Sequence, residues 1–275
     1  MKENKNFTVA VTAFLSLLVF NSIVPAQQES VVPIATTYYL LGGSKNGKWL
    51  TAETVAPLIK KETKMVLIDV KGIVKGGGIL TDSGEEYGAC GENKAVRLEP
   101  EIESGIVAVG DNAKWNLVPR IPKSIAVTDK SYVKIAADFL KTKGIARTKI
   151  KLSQIVQIDL EGDGKYEIII AGNYYKKGTG EEQNAGDYSF ALLRKTVNGK
   201  PQNILLGGDF FTAKLLRSGE FDPPNVHNIN ALADLNGDGK MEIVLGINYY
   251  EGDRNIVFEM KNGKPIKVLE LECSV

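Results

Sequence analysis

A nine-residue stretch near the C-terminus, Asp234-Leu235-Asn236-Gly237-Asp238-Gly239-Lys240-Met241-Glu242, carries oxygen side chains at its first, third, fifth and ninth positions. A hard cation such as calcium gathers roughly six to eight oxygens from carboxylates, amides, backbone carbonyls and water. The stretch offers such a donor set: the side chains of Asp234, Asn236, Asp238 and Glu242, and the main-chain carbonyl of Lys240. The glycine after Asp238 suits the sharp turn that a loop of this kind needs. A second stretch, 159–167, repeats the pattern with Asp159, Glu161, Asp163, Glu167 and the Lys165 carbonyl. The plain alternative at each is a metal-free Asp/Gly turn closed by side chain–backbone hydrogen bonds.

The loops sit inside longer copies, 156–175 and 231–250, related by an ungapped offset of 75 positions. Such self-similarity marks a repeated structural unit. Ile168-Ile169-Ile170 and Ile243-Val244-Leu245 follow the loops, and these aliphatic, largely β-branched runs predict strands over 167–175 and 242–250. An EF-hand would instead need an acid at its twelfth position and a helix beyond it. Ile170 and Leu245 stand there, so that motif is excluded in both copies. Downstream, Asn198-Gly199-Lys200-Pro201 and Asn262-Gly263-Lys264-Pro265 each lie between apolar runs, a hairpin signal.

With those motifs together, the loops resemble the D-x-[DN]-x-D-G-x-x-[DE] calcium loops of FG-GAP and VCBS repeats, the units of integrin-type β-propellers. The resemblance covers about 150–180 and 225–270. It implies a structural calcium ion held by Asp159, Asp163 and Glu167 in one copy and by Asp234, Asp238 and Glu242 in the other. The sequence departs from the family in two ways. Glu161 stands where Asp or Asn is usual, and only two copies are legible where a closed propeller needs at least about four blades.

Other chemistry-bearing residues are sparse. The two cysteines, Cys90 and Cys273, leave a bridge and two separate thiols as open alternatives. Tyr174-Tyr175 and Tyr249-Tyr250 end the two copies at equivalent positions, available either for strand packing or for stacking on a ligand. The single histidine, His227, follows Pro223-Pro224 and reads as a loop residue. Gly42 to Lys48 matches the start of a phosphate loop, but Trp49 replaces the magnesium-binding Ser or Thr. Ser131-x-x-Lys134 lacks the partner motifs of a β-lactamase-type site.

The elements that must carry these residues divide the chain in three. Lys2 and Lys5, an uncharged apolar run over 7–24, and Val24-Pro25-Ala26 predict a signal peptide at 1–26, cleaved after Ala26. The expected destination is secreted or periplasmic. Removal of that segment leaves a formally neutral chain, a balance that does not favour nucleic acid, whose phosphates need a basic face. Residues 27–145 read as a mixed α/β region. Within it, a strand is expected near 38–41, a turn at 42–48 and a helix at 52–61 capped by Thr51. A strand at 65–70 and glycine-rich loops at 76–78 and 83–93 complete this reading. A second helix is firmer: Tyr132, Ile135, Ala136, Phe139 and Leu140 form one stripe, with Thr128 or Asp129 as N-cap and Gly144 as C-terminal stop. Residues 146–275 read as a β region with the two repeats. The expected fold is mainly β with α elements (α+β), with two propeller-like β units in the C-terminal half. The expected function is a non-catalytic, calcium-binding exported module that engages a protein or polysaccharide. The alternative is a secreted hydrolase with its site in 37–122.

Overall fold

The computed structural model describes residues 30–83, 90–91, 93–146, 149–178, 183–212 and 225–274. The expected signal segment and most of the 83–93 loop lie outside them. Within them the chain is mainly β, in three antiparallel sheets with two short α-helices. The first sheet contains β1 (Val32–Ala35), β2 (Leu40–Lys45), β3 (Lys48–Leu50), β4 (Thr63–Asp69), β5 (Gly72–Ser83), β6 (Val96–Glu99) and β7 (Val107–Gly110). Its order is β3-β2-β1-β7-β4-β5-β6. The second contains β8 (Lys123–Ser124), β9 (Leu152–Ile158), β10 (Glu167–Tyr174), β11 (Tyr188–Val197) and β12 (Lys200–Phe210), each hydrogen-bonded to the next. The third is β13 (Val226–Ala233), β14 (Glu242–Tyr249), β15 (Gly252–Lys261) and β16 (Lys264–Ser274), again in sequential order. No helix among the described residues is long and apolar enough to cross a membrane.

Each repeat is therefore a meander of four consecutive strands, β9–β12 and β13–β16. The segment after each acidic loop is an eight-residue strand, β10 or β14, buried over its first six positions. Asn198-Gly199 and Asn262-Gly263 take positive φ at both residues (51° and 73°, 51° and 72°), as a type I′ hairpin requires. Asn46-Gly47 does the same at 52° and 70°. The turn expected over 42–48 is thus only these two residues, flanked by β2 and β3.

Two further expectations in the first half change. The helix expected over 52–61 is one turn, α1 (Ala52–Val55), followed by a 3₁₀ turn at Ala56–Leu58. Pro57 has no N–H to continue the ladder, and Ile59 is already extended. Thr51 bonds the Thr54 hydroxyl and makes no side-chain cap. The glycines at 76–78 belong to β5 and not to a loop. Register against β4 slips between Met65 and Leu67, and Gly76 and Gly77 supply the positive φ that the bulge demands.

The second helix, α2 (Lys130–Thr142), forms as its stripe predicts. Asp129 accepts the backbone N–H groups of Ser131 and Tyr132, and Gly144 takes φ +79° just past the end. Ala136 and Leu140 bury against Leu152, Ile170, Tyr188 and Phe190, so α2 packs on the second sheet. A different cluster joins the first and third sheets: Ile34, Val109 and Leu117 pack with Ala231, Leu235, Val244 and Leu269.

The second and third sheets meet at His227. It is a buried residue of β13, not a loop residue, because alternation along the strand turns it inward. Its backbone N–H donates to Ser189 Oγ at 2.9 Å, its Nδ1 lies 3.1 Å from the same oxygen, and Asp209 Oδ2 is 4.0 Å from Nδ1. Burial holds the imidazole down to about 4, from an ordinary value near 6.5. The unfolded chain therefore takes up a proton near pH 6.5 that the native chain refuses until about pH 4. The stabilisation is complete above pH 6.5 and is lost as pH falls toward 4. Between pH 7.5 and 4.5, wild type should lose about 2 kcal/mol more than His227→Gln in urea unfolding. Equal losses in the two proteins would contradict this assignment.

Candidate metal centre

The two acidic loops join β9 to β10 and β13 to β14, so each is pinned at both ends by a ladder. In the C-terminal loop, Asp234, Asn236 and Glu242 are 2%, 3% and 0% exposed. Asp234 accepts the N–H groups of Gly237 and Gly239 at 2.7 and 2.9 Å. Asn236 Oδ1 accepts from Asp238 N, and Asp238 Oδ1 from Lys240 N. Glu242 Oε2 accepts from Leu235 N at 2.7 Å, but Glu242 Oε1 is buried with no hydrogen-bond partner. Burial, then the charges of Asp238, Asp234 and Glu259, push the Glu242 carboxyl well above its ordinary range, against the opposing Leu235 hydrogen bond. Asp234 is raised for the same leading reason.

The first half of the chain closes over this loop. Trp115 Nε1 donates to Asp234 O at 2.8 Å, Ser44 Oγ to Leu235 O at 2.6 Å, and Asp234 N to Leu117 O at 2.8 Å. A Cβ on Gly237 would lie 2.9 Å from the Trp115 ring, so glycine is needed there for space as well as for its φ of +82°. Trp49 Nε1 donates to Glu259 Oε2 at 2.6 Å. Both tryptophans of the chain thus adjoin this loop and its neighbouring strand.

The N-terminal loop has the same backbone frame. Asp159 accepts the N–H groups of Gly162, Asp163 and Gly164, and Glu167 Oε2 accepts from Leu160 N at 3.0 Å. Three of its four carboxylates, however, have ammonium partners. Lys195 Nζ lies 2.5 Å from Glu161 Oε2 and 3.8 Å from Glu167 Oε1, in a side chain only 6% exposed. Lys165 Nζ pairs with Asp163 at 2.7 Å, and its hydrogen bond holds that carboxyl below the usual range. In the C-terminal loop the corresponding Lys240 donates instead to the Met260 carbonyl. Among the described residues, no ion pair reaches Asp234, Asp238, Glu242 or Glu259. Arg120 joins the two loops: Nε donates to Asp159 O, and Nη2 to Leu160 O and Gly239 O.

Among the described residues, no three His, Cys, Asp or Glu side chains converge as a ready ligand cluster. The loop carboxylates point partly at their own amides. The donors at Asp234, Asn236, Asp238, Lys240 and Glu242 remain an all-oxygen set of the kind a hard cation takes. The unpartnered Glu242 oxygen is the feature that a cation would satisfy.

The remaining sequence candidates fall elsewhere. Cys90 and Cys273 are joined in a disulfide with Cα atoms 5.5 Å apart. Tyr174 packs against Tyr188, Tyr175 donates its hydroxyl to Asn225 O, and Tyr249 is half-buried, while Tyr250 is 57% exposed. Lys195, Glu259, Arg120, Trp49 and Trp115 were not candidates from the sequence. Counting back from the Asn-Gly hairpins, rather than from the acidic loops, would have set Lys195 opposite Glu259. Compared with known proteins, the chain matches no family model, no curated protein and no solved structure.

Proposed function

We propose that this chain is an exported, non-catalytic protein of FG-GAP/VCBS type, whose C-terminal half forms two propeller-like β units stabilised by calcium. The observation that carries the reading is the buried, unpartnered Glu242 oxygen beside Asp234, Asp238 and Glu259. Without a cation the buried carboxylates of Asp234 and Glu242 repel each other, and the exposed Asp238 and half-buried Glu259 add their charge. With one, they share its charge, and the loop fixes β13 to β14. The sequential four-strand meanders β9–β12 and β13–β16 support the propeller-like reading. The disulfide suits an oxidising compartment. A protein or a polysaccharide is the proposed partner, with Tyr250 as the exposed aromatic of the two tyrosine pairs.

Thermal unfolding in millimolar calcium and in chelator tests this. Extracellular calcium modules bind with Kd of about 10⁻⁴ to 10⁻³ M. At calcium tenfold above Kd, linkage adds about 1.4 kcal/mol, a rise in Tm of about 4 °C for a chain of this size. Asp238→Ala should lose the rise. A wild-type midpoint indifferent to calcium would sink the reading.

A further inference from the structure

The two loops share a backbone frame but differ in charge at one structural position. In the N-terminal unit, β10 pairs with β11 through Ile168 and Arg194, and Lys195 is the next residue along, facing Glu167. In the C-terminal unit, β14 pairs with β15 through Ile243 and Phe258, and the next residue is Glu259. Both stand three residues before the Asn of a type I′ hairpin. One unit therefore places an ammonium over its loop, and the other places a carboxylate there.

The side chains have adjusted to match. Glu161 is long enough to reach Lys195, which explains why a glutamate stands where a calcium loop uses a shorter Asp or Asn. Asn236, at the same place in the C-terminal loop, accepts from its own loop amide, Asp238 N, and among the described residues meets no ammonium. Glu167 Oε1 lies within 4 Å of Lys195 Nζ, whereas the corresponding oxygen of Glu242 has no partner.

We propose that Lys195 is a built-in cation that takes the place of the metal in the N-terminal loop, so the chain holds one calcium ion, at the C-terminal loop, and not two. This rests on the calcium reading of that loop. Lys195 is buried, and its ammonium meets Glu161 and Glu167, two of the carboxylates a metal would have to reach. Lys195→Gln removes the charge and leaves an amide oxygen that can join a calcium shell. Lys195→Arg keeps the cation.

The experiment counts calcium bound per chain by isothermal titration calorimetry, with calcium chloride as titrant. Wild type should bind one equivalent, Lys195→Arg one, and Lys195→Gln two, with Lys195→Gln less stable than wild type in chelator. Two equivalents in wild type would overturn the Lys195 assignment and leave the calcium reading standing. Zero in wild type would overturn the calcium reading. The Lys195 assignment is then judged on its own, by whether Lys195→Gln binds one more ion than wild type. A Lys195→Gln protein that gains no equivalent, or stays unfolded in millimolar calcium, overturns it.

Discussion

Replacing Cys90 and Cys273 together by serine, or reducing the bond between them, should lower stability by about 5 kcal/mol. The reason is the length of chain the bond closes. The two cysteines are 183 residues apart in sequence, and closing so long a loop removes a large entropy from the unfolded ensemble. The native contacts at the bond are extensive as well. Tyr39 directs its hydroxyl at Cys273 Sγ, 3.7 Å away, and Asn93 Nδ2 donates to Glu272 O at 2.8 Å. Leu269, Leu271 and Cys273 of β16 belong to the same buried cluster as Val32, Ile34 and Tyr39. The bond thus ties the last strand of the third sheet to the first half of the chain. Urea unfolding with and without reductant measures the effect, with free thiols titrated to show complete reduction. An unchanged midpoint in the fully reduced protein would refute it.

Arg120→Ala should lower stability by about 3 kcal/mol, the loss of three hydrogen bonds from a charged donor, with the sum reduced by partial exposure and non-additivity. Each acceptor is a loop carbonyl: Asp159 O at 2.5 Å, Leu160 O at 3.1 Å and Gly239 O at 2.9 Å. The planar guanidinium spans both loops at once, so Arg120→Lys should recover less than half of the loss. A direct backbone bond, Met241 N to Leu160 O at 2.8 Å, also joins the loops, whose Leu160 and Met241 share one buried cluster. Because Arg120 touches no carboxylate in this arrangement, the Arg120→Ala protein should still respond to calcium. Wild-type stability in Arg120→Ala would show that the clamp is incidental.

What could be read from the sequence was local. The acidic loops, the strands after them and the Asn-Gly hairpins each depend on residues within one turn or one strand, and α2 on one stripe with one cap. The charge balance of the loops could not be read that way. Lys195 and Glu161 are 34 residues apart, and Trp49 and Glu259 are 210 apart. The copies also change offset between loop and hairpin, because the β10–β11 connection is longer than the β14–β15 turn. The two residues that differ most in meaning, Lys195 and Glu259, therefore fall out of register in a simple alignment of the acidic motifs. In the first half the sheet order β3-β2-β1-β7-β4-β5-β6 depends on non-local pairing, and the bulge at 76–78 hides a strand behind glycines. In the sequence His227 reads as a loop residue because two prolines precede it, yet β13 begins only two residues after Pro224.

The central claim is that the C-terminal loop binds a calcium ion through Glu242 and its neighbours. Terbium, an oxygen-seeking ion of similar size, tests it most directly, since Trp115 adjoins that loop and Trp49 its neighbouring strand, close enough to sensitise its emission. Excitation of the tryptophans during terbium titration should give green emission that saturates at one ion per chain. Excess calcium should displace the signal, and Glu242→Gln should abolish it while remaining folded. Folded wild-type protein that gives no calcium-displaceable emission, or a Glu242→Gln protein that emits like wild type, would contradict the account.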